Sequence, residues 1–288
     1  MADQKQVIII GGGPAGVSAA LYLARAGIAV TIIENGPGAL ARAHKIDNYY
    51  GIATNGENLY ATGLKQAKAL GVTVMQDEVI SVEYLNNFIL SLKNTTEQIS
   101  TPALILATGT KNVTLNLPEL VKFEGKGVSY CAVCDGFFFR KKRVAVLGSG
   151  AYALHEAGYL RHLASSVTIL TNGEKIDAAK AAGFETVEAK VSSVQGEEHL
   201  TNINFADGST LETDGLFIAL GTADSTDIAR KLGAQTNGRF IKIDKDGATN
   251  IPGLFAAGDC TGGLLQVTKA VHEGARAGLA ALNFIRKN

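Results

Sequence analysis

Two glycine-rich loops of one design, Gly11-Gly12-Gly13-Pro14-Ala15-Gly16 and Gly148-Ser149-Gly150-Ala151-Tyr152-Ala153, constrain this chain more than any other feature. Each follows a short apolar run (7–10 and 144–147), opens a stretch of helical periodicity, and leads to a second apolar run (29–33 and 167–170). Strand, glycine loop, helix and strand in that order form the dinucleotide-binding βαβ unit. Gly11 permits the tight turn, Gly13 lets backbone approach a pyrophosphate, and Gly16 lets helix and strand pack closely. The phosphates then sit at the helix N-terminus, where free N–H groups favour negative charge. The expectation is an α/β chain built on two Rossmann-like units.

The two copies differ where the second strand ends. The first reaches Glu34, a carboxylate able to accept hydrogen bonds from adenosine ribose hydroxyls and unfavourable to a 2′-phosphate. The second reaches Thr171-Asn172-Gly173, with neither an acid for a bare ribose nor an arginine for a phosphorylated one, so a working nucleotide site and a degenerate fold element both stay open. A chain of 288 residues fits about two domains of ~150 residues. Its net charge of zero lacks the basic footprint of a nucleic-acid binder or of a membrane-surface protein. No apolar run approaches the ~20 residues that span a bilayer, and 7–10 is too short for a secretory signal core, so a cytoplasmic protein is expected.

Just upstream of the second loop stands Cys131-Ala132-Val133-Cys134-Asp135-Gly136. A two-residue spacing lets the pair close into a disulfide and exchange with another through a mixed disulfide. The competing reading is a metal half-site, but no second pair exists and the five histidines show no finger spacing, so no metal is expected. Near the C-terminus, Gly258-Asp259 follows a short apolar strand and precedes an amphipathic helix over 265–285, a placement suited to the ribityl or pyrophosphate part of a flavin. Cys260, the third cysteine, reads as a small packed residue.

Taken in order, GGGPAG, Asp47-Asn48-Tyr49-Tyr50-Gly51, Ala107-Thr108-Gly109, CAVCDG with Phe137-Phe138, GSGAYA and Ala256-Ala257-Gly258-Asp259 resemble the low-molecular-weight thioredoxin reductases over nearly the whole chain. The resemblance implies an α/β fold of two Rossmann-like, three-layer ββα dinucleotide-binding domains, the second inserted into the first. An FAD domain would comprise 1–110 and 240–288, and an inserted pyridine-nucleotide-type domain, 111–239, would carry the dithiol. FAD would be held by Gly11, Gly13, Pro14, Ala15, Gly16, Glu34, Asn35, Asn48, Thr108, Gly109, Gly258, Asp259, Gln266 and Val267. Cys134 would be the sulfur nearer the flavin, Cys131 its partner and exchange thiol, and Asp135 the acid-base residue. Thioredoxin would be the substrate and a homodimer the assembly.

One departure from the family bears on the electron donor. Ordinary members hold NADPH with an HRRxxxR cluster, and the matching stretch here is Thr171-Asn172-Gly173-Glu174-Lys175-Ile176-Asp177. Losing two or three charge-assisted bonds of ~1.5–3 kcal/mol each would weaken NADPH by powers of ten. Tyr152 and His155 also replace small or acidic residues and are placed to crowd a nucleotide. The expectation is therefore independence from NADPH, with the resemblance extending to relatives that take electrons from ferredoxin. The run Arg140-Lys141-Lys142-Arg143 would serve either as part of a ferredoxin dock or as a solvated strand entry. Alternatives are an NADH- or NADPH-linked reductase, with Glu174 the nearby ribose acceptor, a deazaflavin-linked one, an FAD-dependent dithiol oxidase, and a redox-sensing flavoprotein.

Overall fold

Strands apolar on both faces need cover on both sides, which parallel sheets with crossover helices provide. The computed structural model describes residues 6–109, 117–130, 132–221, 225–238 and 240–288, without the side chains of Pro118, Val133 and Cys134. The chain opens with β1 (Gln6–Ile10), α1 (Pro14–Arg25), β2 (Ala29–Glu34), α2 (Gly56–Ala69), β3 (Thr73–Gln76), β4 (Val79–Leu85), β5 (Asn87–Leu92), β6 (Ile99–Thr101) and β7 (Ala103–Leu106). It continues through β8 (Val128–Ser129), α3 (Ala132–Asp135), β9 (Arg143–Leu147), α4 (Ala151–Leu160), β10 (Ser166–Leu170), β11 (Glu185–Val187), β12 (Val191–Gln195), β13 (Asn202–Phe205), β14 (Thr210–Glu212) and β15 (Gly215–Ile218). It ends with α5 (Ser225–Lys231), β16 (Thr236–Asn237), β17 (Phe240–Ile241), β18 (Leu254–Ala256) and α6 (Val267–Lys287). Met1–Asn112 with Asp224–Asn288 form one compact unit, and Val113–Ala223 the other.

In the first unit a five-stranded sheet runs β18-β7-β1-β2-β3, with every pairing parallel. The central strand β1 is covered on one side by α1 and α6, whose small residues allow a close approach. A Cβ on Gly274 of α6 would lie 2.1 Å from the Ala15 carbonyl oxygen, so only glycine fits where the two helices touch. Apolar side chains of β1, β2, α1 and α6 form the core there, and the unit also holds the antiparallel sheet β4-β5-β6 and the antiparallel pair β16-β17.

The second unit repeats the plan with the order β11-β10-β9-β15-β8, again parallel throughout, beside the antiparallel sheet β12-β13-β14. Its edge strand β8 comes before the central strand in the chain, whereas β18 comes long after β1. Parallel strands put all their carboxyl ends on one sheet edge, where α/β proteins bind ligands. In the second unit that edge receives the segment leading from β8 to the dithiol and the glycine loop after β9. The helix α4 stops at Leu160, where the chain tightens into shorter bonds, His162 N–H to the Tyr159 carbonyl at 3.3 Å and Leu163 N–H to the Leu160 carbonyl at 2.9 Å. The last helix begins at Val267, two residues later than expected, after an extended Gln266. Among the described residues no helix is long and apolar enough to cross a membrane.

Candidate active site

The first glycine loop is shaped by contacts that exclude side chains. Gly11 has φ +116°, and a Cβ there would lie 2.3 Å from the Ala107 carbonyl oxygen, while one on Gly16 would lie 1.9 Å from the Gly11 carbonyl oxygen. Gly13 is different: a Cβ there meets nothing within 4 Å, leaving open space at the N-cap of α1, with Pro14 at the first helical position. Glu34 packs against Gly12 and is buried. Its Oε2 accepts the Gly36 N–H at 2.8 Å and the Tyr60 hydroxyl. Burial, and then the Glu34 carboxylate, push the Tyr60 phenol far above its ordinary value, so it remains a donor. Asn35 is exposed beside them.

The Gly258-Asp259 step joins the same loop: a Cβ on Gly258 (φ +88°) would lie 2.9 Å from Ala15 Cβ. A half-buried network fixes the step. Glu273 Oε2 accepts the Gly258 N–H at 2.9 Å, and Lys269 Nζ donates to the Gly258 carbonyl at 2.7 Å, to Thr261 Oγ1 at 2.8 Å, and pairs with Glu273 at 3.0 Å. Burial pushes the Asp259 carboxyl above its ordinary range, Lys269 pulls the other way, and Glu273 adds to the rise. Asn48 Nδ2 donates to Gln266 Oε1 at 3.0 Å, bringing those two residues together at the start of α6, next to half-buried Val267. Thr108 and Ser225 bind reciprocally, Ser225 N–H to Thr108 Oγ1 at 2.8 Å and Thr108 N–H to Ser225 Oγ at 3.1 Å, with Gly109 (φ +75°) following. Cys260 is fully buried, with its thiol 3.5 Å from the Leu106 carbonyl oxygen. Open backbone at Gly13, an acid against Gly12 and the Gly258-Asp259 step held against Ala15 together fit a flavin adenine dinucleotide.

In the second unit the helical turn α3 carries the backbone of Cys134, and Cys131 lies outside the described residues. Asp135 closes the turn half-buried, its Oδ2 accepting the Ser129 hydroxyl at 2.6 Å. Phe137 and Phe138, which follow, are 68% and 71% exposed, while Phe139 stacks edge-on against Phe217 with ring centroids 5.1 Å apart. In the basic run, Arg143 is engaged by Glu212 at 2.6 Å and Asp214 at 3.3 Å, and Lys142 lies over the Phe139 ring.

The second glycine loop carries different chemistry from the first. Ser149, the counterpart of Gly12, donates its hydroxyl to Glu174 Oε2 at 2.7 Å. A Cβ on Gly150, the counterpart of Gly13, would lie 3.5 Å from the Gly221 carbonyl oxygen. Thr171 is buried at the strand end, and Asn172 (φ +55°) turns the chain, its Oδ1 accepting the Val191 N–H at 2.9 Å. Asp177 accepts the Ala179 N–H at 3.1 Å and the Lys180 N–H at 3.3 Å, and pairs with Lys180 Nζ at 3.8 Å. Tyr152 does not face a nucleotide: its side chain is fully buried, with the hydroxyl 3.4 Å from the Tyr130 carbonyl oxygen.

Sequence reading missed Tyr60, the Lys269/Glu273 pair and Ser225. An i, i+4 Lys–Glu pair in the first turns of α6 was the one available signal, whereas Tyr60 and Ser225 meet partners far away in the chain.

The pyridine nucleotide-disulphide oxidoreductase family matches residues 5–274. A thioredoxin reductase of Coxiella burnetii (strain RSA 493 / Nine Mile phase I) is 36% identical over 309 residues, covering 97% of this chain and 96% of the relative. Among solved structures, the atypical thioredoxin reductase TRi from Desulfovibrio vulgaris Hildenborough is 40% identical, with a TM-score of 0.91 over 99% of each chain. A ferredoxin-flavin thioredoxin reductase from Clostridium acetobutylicum is 29% identical with a TM-score of 0.69, over 98% of this chain and 97% of that one.

Proposed function

The chain belongs to the pyridine nucleotide-disulphide oxidoreductase family and is a thioredoxin reductase-type flavoprotein oxidoreductase; from that premise we propose that it reduces thioredoxin without drawing on NADPH, taking electrons from a ferredoxin. The observation that carries this reading is the Glu174 carboxylate on the second glycine loop. A carboxylate at the place an adenosine ribose would occupy opposes a 2′-phosphate, and Asp177 adds negative charge where the family places an arginine. A relative of this fold, from Clostridium acetobutylicum, is described as a ferredoxin-flavin enzyme. The driving force is adequate: a ferredoxin at ~−400 mV and a thioredoxin at ~−270 mV differ by about 6 kcal/mol over two electrons. Glu174 also supports a second reading, since a carboxylate at Ser149 is the acceptor an unphosphorylated ribose needs, and that reading names NADH.

FAD is the cofactor the family implies, and when bound it supplies two-electron redox chemistry to a dithiol. Glu34, with the Tyr60 bonded to it, would hold the adenosine ribose, the N-terminus of α1 with Gly13 would hold the pyrophosphate, and Gly258-Asp259 would hold the ribityl or pyrophosphate part. In the reduced pair the Cys131 thiolate attacks one sulfur of the substrate disulfide, forming a mixed disulfide and releasing one substrate thiolate, which takes a proton. The Cys134 thiolate then attacks Cys131 sulfur, closing the protein disulfide and releasing the second substrate thiol. Asp135 takes the proton from the attacking thiol and returns it to the leaving one.

Turnover tests the reading. Thiol formation in thioredoxin is followed anaerobically with reduced ferredoxin, NADPH and NADH as donors. Ferredoxin is expected to support it and NADPH not; NADPH-driven turnover at micromolar concentrations would overturn the proposal, and turnover with NADH alone would select the second reading. Cys134→Ser is expected to abolish thiol formation with FAD still bound, and retained turnover would refute the dithiol chemistry.

A further inference from the structure

Burying a carboxylate is costly unless it is hydrogen-bonded, and the mechanism above leaves one such group unused. Glu156 of α4 has a side chain only 2% exposed. Its Oε2 accepts the Ala132 N–H at 2.8 Å, and Ala132 is itself fully buried. That N–H belongs to the peptide joining Cys131 to Ala132 and is the first donor of α3. From the same helix the Tyr152 hydroxyl reaches the Tyr130 carbonyl at 3.4 Å, so α4 holds the backbone immediately before and after Cys131. Among the described residues, the ionisable groups around this turn include His155, whose Nδ1 lies 3.4 Å from Glu156 Oε1, Asp135 on α3, and Tyr130, bonded to Glu124 at 2.8 Å.

We propose that Glu156 is a positioning residue for the dithiol: it fixes the Ala132–Asp135 turn on α4 and, by placing a carboxylate on the turn's first N–H, keeps the Cys131/Cys134 couple strongly reducing. Free N–H groups at the start of a helical turn stabilise a thiolate, and a stabilised thiolate makes a dithiol a better oxidant. A carboxylate that takes up that donor works in the opposite direction. A pair that must reduce thioredoxin needs this bias, and the inference therefore rests on the dithiol reading of the preceding section.

The test is equilibration of the flavin-loaded protein with dithiothreitol and its cyclic disulfide. The protein disulfide takes two electrons and two protons from dithiothreitol, which closes its own disulfide, and the protein thiols are counted by alkylation and mass spectrometry. Glu156→Gln keeps an acceptor and removes the charge; Glu156→Met, also neutral and of similar length, guards against a folding failure peculiar to Gln. In either variant, with flavin content and circular dichroism as in the wild type, the ratio of dithiol to disulfide at fixed buffer is expected to rise at least tenfold, a shift of about 30 mV. An unchanged or lower ratio overturns the proposal. A wild type with no two-electron thiol couple overturns the dithiol reading itself, and the inference with it.

Discussion

Asp259 carries a conflict between binding and folding. Burial holds its carboxyl above the ordinary range, and Glu273 pushes the same way against Lys269. A folded pKa above the unfolded one means that the folded state holds the proton longer, so stability falls as pH rises from the ordinary aspartate value through the folded one. Asp259→Asn is therefore expected to raise the Tm of the flavin-stripped protein at pH 7, with the gain shrinking towards pH 4; a lower Tm at pH 7 would contradict this. The same variant should bind FAD roughly ten- to a hundredfold more weakly in a fluorescence titration, the loss of one hydrogen bond to a charged group worth about 1.5–3 kcal/mol. At this scale the sequence was legible wherever backbone geometry dictates residue type, as at Gly11 and Gly16, where a carbonyl oxygen occupies the space of a Cβ. It was not legible for Tyr60 or Glu156, whose partners Glu34 and Ala132 lie on other elements and leave no periodic trace.

The helices show how small residues set the distance between elements. Gly274 of α6 touches the Ala15 carbonyl, one residue after the Pro14 that starts α1, so the helix pair also fixes the N-terminus proposed to hold a pyrophosphate. Gly274→Ala would force the helices apart, and overpacking of this kind costs about 1–3 kcal/mol. We expect a lowered denaturation midpoint together with weaker FAD retention on gel filtration; loss of stability with flavin binding intact would separate the packing from the site. The amphipathic pattern revealed α6, but its first residue was misplaced because Leu264 and Leu265, both exposed, extend the apolar run without joining the helix. The end of α4 is set by a tightening into i, i+3 bonds at Tyr159 and Leu160, which leaves no mark in the residue pattern.

Across the molecule, one plan is used twice with different chemistry at the loop. Glu34 against Gly12 and Glu174 against Ser149 are counterparts, yet the first loop keeps open space at Gly13 while a carbonyl oxygen stands over Gly150. Repetition of the glycine loops made both sheets foreseeable. What stayed hidden is that the second sheet draws its edge strand β8 from upstream of its own central strand, since two residues of strand leave no readable pattern. That exchange delivers the chain segment before Cys131 to the carboxyl edge of the sheet. The central claim is that electrons enter without NADPH, and the most direct measurement is anaerobic stopped-flow absorbance of the FAD-loaded protein mixed with NADPH, NADH or reduced ferredoxin. Ferredoxin is expected to bleach the flavin rapidly and NADPH to leave it unbleached on the timescale of turnover; rapid bleaching by micromolar NADPH would refute entry without NADPH.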